Sequence, residues 1–352
     1  MKILYIGMKY EYGKKELGYS FEHYNFYDSL TKMSNNEVVY FPFDEIILEE
    51  GRDKMNKELL EVVQKEKPDL CFFFLFGDEI KKQTIKKITQ ENKITTFNWF
   101  ADDHFRFCNF SKYYAPLFSW VSTTDSQAIE KYNKIGYKNV IETQWACNQF
   151  LYKPFDLPKI YDVSFVGQPH SDRKEIVNKI KKAGINIKCW GNGWQDGRVS
   201  QDEMLKIFSQ SKINLNLTKS SGNFNLKTLV AIFLKKDLNN SLRLTNPKYW
   251  ISNFQSILNK KREQIKGRNF EIPGSGGFLL TSNADNLTDY YEDGKEIVIY
   301  KDINDMIDKI KYYLEHDEER EAIAKAGYGR TLQEHTYEKR FNEIFKTIQS
   351  NL

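Results

Sequence analysis

A chain of 352 residues is long enough for two domains, each with a core of its own. Its 52 lysines and arginines stand against 48 aspartates and glutamates, scattered along helical faces and not gathered into an arm, which argues against nucleic-acid binding. No run of about 18 apolar residues occurs, so the sequence carries no strong membrane signature and a soluble, cytoplasmic protein is expected.

Residues 2–7 form a short apolar strand followed by a long loop, and 21–33 show helical spacing, which opens a parallel α/β unit. Strands at 38–43, 69–76, 95–100, 120–124 and 139–142 then alternate with helices at 55–66, 79–92 and 126–135. The run DLCFFFLF at 69–76 is apolar almost throughout, as a strand covered on both faces demands. Between 145 and 159 the periodicity lapses around Pro154 and Pro158, the signature of a linker. Strands at 162–167, 185–190 and 213–217 and helices at 173–183 and 204–211 restart the alternation. Residues 220–261, Asn-rich around Pro247 and Trp250, break it, and a helical excursion from the second domain is expected there. Strands at 278–281 and 297–300 and helices at 286–291, 303–315, 318–326 and 331–348 complete the chain, with Asp302 and Asp317 placed to cap.

The stretch 267–286, GRNFEIPGSGGFLLTSNADN, concentrates the chemistry. A glycine turn at Gly276 and Gly277 lets backbone N–H groups approach a phosphate, Arg268 can hold its charge, and Glu271 can accept two hydrogen bonds from a ribose diol. Gly167 and Arg173, Gly191 and Gly193, and Lys219 all follow predicted strands, so they can converge at one sheet edge with helix N-termini. Arg268, Lys219 and those N-termini would neutralise a diphosphate without a metal. In the first domain, Asp103 is the first choice for a proton acceptor and His23 for its orienter, with Glu22 and Asp102 as alternatives. Helix capping by Asp102 is an equally open reading. The adjacent Asp102 and Asp103 invite a metal, but no third ligand is spaced for a hard cation, and Cys71, Cys108, Cys147 and Cys189 lie too far apart for a zinc site.

The segment RNFEIPGSGGFLLTSN, together with FVGQ at 165–168 and TYEKRF at 336–341, resembles GT-B glycosyltransferases of the CgeB-like, spore-maturation type (glycosyl transferases group 1). That resemblance implies two Rossmann-like doubly wound domains, 1–152 and 153–330, facing a central cleft, with a C-terminal helix over 331–352 crossing back to the first. It implies that Glu271 is the second Glu of an E-x7-E pattern and contacts ribose, with Glu263, eight residues earlier, supplying the first. The implied activity is metal-independent transfer of a sugar from a nucleotide diphosphate-sugar, UDP-sugar favoured, to a glycan, protein, small molecule or modified base. The nucleotide-sugar is then a co-substrate, and no cofactor is expected. A nucleotide-sugar epimerase or hydrolase of the same fold, or a non-catalytic coat or sugar-binding protein, is the alternative.

Overall fold

Strands β1 (Lys2–Gly7), β2 (Glu37–Pro42), β3 (Leu70–Phe73), β4 (Thr95–Trp99), β5 (Trp120–Thr123) and β6 (Val140–Glu142) pair in the order β2-β1-β3-β4-β5-β6. Every pairing is parallel, and helices separate the strands along the chain. All four residues of β3 are buried, which is why its sequence has no polar alternation. The computed structural model describes every residue except 171, 219–225, 237, 239–240, 261 and 352, together with the side chains of all but 226–228 and 236 among the rest.

The second sheet begins with β7 (Tyr161–Val166), β8 (Ile187–Trp190) and β9 (Ser211–Asn216). The chain then passes through the antiparallel hairpin β10 (Leu234–Lys236) and β11 (Leu242–Leu244) before β12 (Leu279–Ser282) and β13 (Val298–Tyr300) complete the sheet. Its order is β13-β12-β9-β7-β8, again parallel throughout. Strand order reverses beside β1 in the first sheet, between β1 and β3, and beside β7 in the second, between β7 and β9. In open α/β sheets such switch points leave a crevice at the carboxyl ends of the strands.

The chain divides into two compact units, 1–144 with 223–260 and 341–352, and 145–222 with 261–340. The excursion expected to belong to the second domain therefore groups with the first. In the helix Tyr337–Gln349, the residues from Phe341 onward also belong to the first unit, where Phe341 lies against Phe26, Phe72 and Trp99.

Local signals explain some helix ends. Asp302 caps Ile303–Glu315 by accepting from the amides of Asn304 and Asp305, at 2.8 and 3.1 Å. Ser200 and Glu203 form a capping box at the start of Gln201–Gln210. Asp317 caps nothing: it is the first residue of Asp317–Glu334, and its carboxylate pairs with Arg320 instead. That helix runs through the break expected at 327–330. Gly327 is retained inside it because a side chain there would collide with the Glu296 carbonyl of the neighbouring segment.

Candidate active site

In the second unit, the carboxyl ends of β9, β12 and β13 border a pocket of roughly 390 Å³. Leu217 and Thr218 follow β9, Ser282 closes β12, and Tyr300 closes β13. Two helix starts, at Asp172 and Asp302, complete the rim. Glu263 stands in this wall and accepts a hydrogen bond from the Thr218 hydroxyl at 2.9 Å, while Thr218 also bonds the Ser282 hydroxyl. Carboxylates outnumber cations on the lining, where Lys179 and Lys301 are the basic groups. An acidic, hydroxyl-rich wall suits a polyhydroxylated ligand, whose O–H groups donate to it, better than a bare phosphate.

Arg173 sits at the switch point itself. Its guanidinium donates to the Gln168 carbonyl after β7 at 2.8 Å and to the Leu217 carbonyl after β9 at 2.5 Å, and it lies over the Phe165 ring. It is thus a strut across the crevice that also places a fixed positive charge there.

The glycines are arranged otherwise than the sequence suggests. Gly276 and Gly277 precede β12, so they lie at the amino edge of the sheet, away from the pocket. Their N–H groups are already used, donating to the Pro273 and Ile272 carbonyls at the end of the helix Arg268–Gly274. A side chain at Gly277 would press on the Asn214 amide at 2.8 Å, so this pair permits close packing and does not cradle a phosphate. At the carboxyl edge, Gly167 donates its N–H to the Trp190 carbonyl and Gly191 to the Gly197 carbonyl, while the Trp194 indole closes on the Gly167 carbonyl at 2.7 Å. Gly193 lies in that same turn with a positive φ of 100°. These three shape the edge and leave no N–H of Gly167 or Gly191 for an anion. Lys219 lies outside the described residues.

Glu271 differs most from expectation. Its carboxylate is 0 % exposed, accepts the Tyr152 hydroxyl at 2.8 Å through Oε1, and is ion-paired with Arg268 through Oε2. Gln201 holds the Tyr152 hydroxyl in turn, at 3.1 Å. With both oxygens taken and no surface open, Glu271 braces the first turn of its helix, and the carboxylate facing the pocket is Glu263. Asn269 ties the same turn to the sheet through Asn216 and Thr281, so the N-terminus of this helix lies at the carboxyl edge.

In the first unit, Asp103 follows β4, one strand beyond the switch point, and is 0 % exposed. The Tyr132 hydroxyl donates to it at 2.7 Å, and burial pushes its carboxyl up to about 6. An enclosed carboxyl cannot meet an acceptor directly, so its part here is structural. Asp102 precedes the helix Asp103–Arg106 without a side-chain cap bond, and its carbonyl accepts from Phe105 and Arg106. Glu22 and His23 lie in the first turn of the helix that follows the loop after β1, beside the switch point. Burial lifts the Glu22 carboxyl to about 8 and lowers the His23 imidazole to about 4. The His23 ring stacks on Tyr19 at 4.1 Å, and its buried Nδ1 makes no hydrogen bond. A π-helical turn, His23–Tyr27, begins here, a local distortion frequent at functional sites.

Residues 173–233 and 236–346 match the model of the family described as glycosyl transferase-like. The matched residues amount to just under half of the chain. Over 289 residues the chain is 22 % identical to the spore protein CgeB of Bacillus subtilis, covering 82 % of this chain and 85 % of that protein. Anabaena HepE, solved in complex with UDP-glucose, superimposes with a TM-score of 0.60 at 10 % identity, covering 99 % of this chain and all of that one. Sucrose-phosphate synthase from Thermosynechococcus elongatus gives 0.59 at 10 % identity over the whole of both chains. The fold of the chain is that of these structures, GT-B. Sequence reasoning did reach Glu263, by counting back from Glu271, but missed Thr218 and Tyr152, which no local pattern marks.

Proposed function

We propose that the chain moves a sugar from a nucleotide diphosphate-sugar, with a UDP-sugar as first choice, held in the second unit at its switch-point pocket. The observation that carries this reading is Glu263 with Thr218 on the wall of the pocket at the carboxyl edge of the second unit's sheet. There a carboxylate and a hydroxyl can take up the diol of a ribose or hexose. Arg173 and the N-terminus of Arg268–Gly274 lie at the same edge and supply positive potential for the diphosphate. HepE, of like fold, was solved with UDP-glucose, which supports the choice of base.

For the acceptor's proton the proposal turns to Glu22 and not Asp103. Glu22 lies beside the first unit's switch point, and a carboxyl lifted to about 8 is matched to proton transfer near neutrality. His23 would orient it or the acceptor. The acceptor is a hydroxyl-bearing molecule, and turnover is expected without a divalent cation, the fixed cationic groups stabilising the leaving diphosphate.

The test is a thermal-shift and calorimetry panel of UDP, ADP, GDP and their glucose or mannose conjugates. A ligand at 100 times its Kd raises the unfolding free energy by about 2.7 kcal/mol. Stabilisation by one nucleotide series supports the reading, and none by any of them refutes it. With the donor found, Glu22→Gln should lower transfer by about 10² to 10⁴ while leaving donor affinity unchanged. Loss of turnover in EDTA with recovery in magnesium or manganese would overturn the metal-independent part.

A further inference from the structure

Asp44 lies in the first turn of the helix Phe43–Glu50 and is 0 % exposed. Its carboxylate is taken up by another segment: Oδ1 accepts the Lys9 amide at 2.8 Å and Oδ2 the Tyr10 amide at 3.0 Å. The parallel register explains the meeting, since Gly7 of β1 stands opposite Pro42 of β2 and residues two further along each chain come side by side. The next residue, Glu45, takes the Lys9 ammonium at 2.9 Å. Each amide uses its own oxygen of Asp44, so asparagine would turn an N–H2 group against one of them, and only an acceptor-only group fits. Burial pushes the Asp44 carboxyl up, and the two amide bonds act against that shift.

Lys9 and Tyr10 form one side of the neck of the loop after β1. On the other side, the Ser20 amide donates to the Lys9 carbonyl at 2.8 Å, Tyr19 bridges to Tyr10, and Gly18 accepts from the Glu11 amide at 3.0 Å. The Ser20 hydroxyl donates to the Met8 carbonyl at 2.8 Å and accepts the His23 amide at 3.0 Å, closing the turn that holds Glu22. An unbroken series of hydrogen bonds thus runs from Asp44 through the neck to the turn bearing Glu22 and His23, all of it within the first unit. Inside the loop, Tyr12 has a φ of 54°, a left-handed conformation that a bulky side chain adopts only when its surroundings impose it. A loop carrying that strain has to be held closed at its neck.

We infer that Asp44 is a positioning residue for the transfer, its carboxylate clamping the neck of the loop after β1 so that Glu22 and His23 stand where the acceptor's proton is taken up. The inference rests on Glu22 as the proton acceptor. A clamp of this kind differs from a plain stabilising contact in what it does to Glu22. Glu11 from the loop, Asp44 from the helix Phe43–Glu50 and Tyr40 from β2 act on the Glu22 carboxyl, while Asp28, Lys9 and Glu45 act on His23. The negative charge of Asp44 opposes ionisation of Glu22, and a closed neck preserves the burial that opposes it most. Releasing the clamp removes both effects, so the Glu22 carboxyl moves down.

The test compares the full chain with Asp44→Asn by NMR and needs no acceptor. Hydrogen exchange of the Lys9, Tyr10 and Ser20 amides should quicken at least about tenfold, while the amides of β3 and β4 stay as protected as in the parent. The Glu22 carboxyl, assigned through Glu22→Gln, should titrate about one unit lower in the variant. Release of UDP from UDP-glucose, the probe for turnover, should lose kcat with donor Kd unchanged. Unchanged amide exchange or an unmoved Glu22 titration in Asp44→Asn overturns the clamp and leaves Glu22 standing. Release of UDP by Glu22→Gln at the parent rate removes Glu22 as proton acceptor and leaves the clamp standing. Should Asp44→Asn fail to fold, the parent decides: Lys9 and Tyr10 amides that open on acidification before those of β3 support the inference. Amides that exchange freely near neutral pH, or that open only together with β3, overturn it.

Discussion

Replacing Glu22 by Gln should make the protein more stable, and by an amount that depends on pH in a defined direction. The carboxyl is 7 % exposed, and burial raises it from its ordinary 4.5 to about 8, helped by the negative charges of Glu11 and Asp44 and opposed by the Ser20 hydroxyl. Between those two values the unfolded chain has released this proton while the folded chain keeps it. The native state then binds more protons, so stability falls as pH rises through the window and levels off above about 8. At about 1.4 kcal/mol per pKa unit, the full shift corresponds to roughly 4 to 5 kcal/mol, and residual solvent access reduces this to about 2 to 4. Glutamine keeps the shape and has no proton to lose. The difference in unfolding free energy between Glu22→Gln and the parent should therefore grow with pH in favour of the variant and reach its plateau above pH 8. Urea titrations at half-unit steps from pH 5 to about 9 measure it, and titrations elsewhere in the chain cancel in the difference. A difference that stays flat with pH would refute the argument and remove the physical basis for Glu22 as proton acceptor. A variant more stable yet inactive is the expected pairing, since a strained group is commonly kept for function.

Glu271→Ala should cost about 3 to 5 kcal/mol in urea unfolding, because it leaves Arg268 and Tyr152 without their buried partner. Glu263→Ala, on the pocket wall, should leave stability nearly unchanged but weaken nucleotide-sugar binding by about 1.5 to 3 kcal/mol in calorimetry. Unchanged donor affinity in Glu263→Ala would count against the pocket as the donor site. His335 is buried with Nε2 at the Tyr290 carbonyl and Nδ1 at the Arg340 guanidinium, and is held neutral, lowered to about 4. Its unfolded form takes up a proton below 6.5, so about 2 to 3 kcal/mol of stability should be lost as pH falls from 6.5 toward 4, and His335→Gln should flatten that slope in the same assay. Gly327→Ala should destabilise by about 1 to 3 kcal/mol despite the better helix propensity of alanine, because its Cβ meets the Glu296 carbonyl; a raised urea midpoint would contradict this.

The two parallel sheets were legible because buried strands need apolar runs such as 69–76 and because turns and caps such as Asp302 are local chemistry. What failed depended on which end of a strand a motif occupies. The glycine pair at 276 and 277 has the composition of a phosphate loop, but it comes before its strand, so the parallel direction of β12 carries it to the far edge. Glu271 looked exposed because its partner Tyr152 lies 119 residues away and nothing near Glu271 announces it. Asp103 was misjudged for the same reason, through Tyr132. The helix at 250–259 has ordinary amphipathic spacing, and a sequence period gives the existence of an apolar face but not the side to which it turns.

The chain passes between the two units at four points, near residues 144, 222, 260 and 340. During synthesis this delays completion of the first unit: Phe341 and its neighbours, which close over Phe26, Phe72 and Trp99, leave the ribosome only after the whole of the second unit. Until then the first sheet lacks that cover, and the second unit has been made in full. The nascent protein therefore exposes an aromatic face until residue 341 has been made, and a chain cut after residue 340 should associate with chaperones or aggregate, though the family-matched region is almost intact.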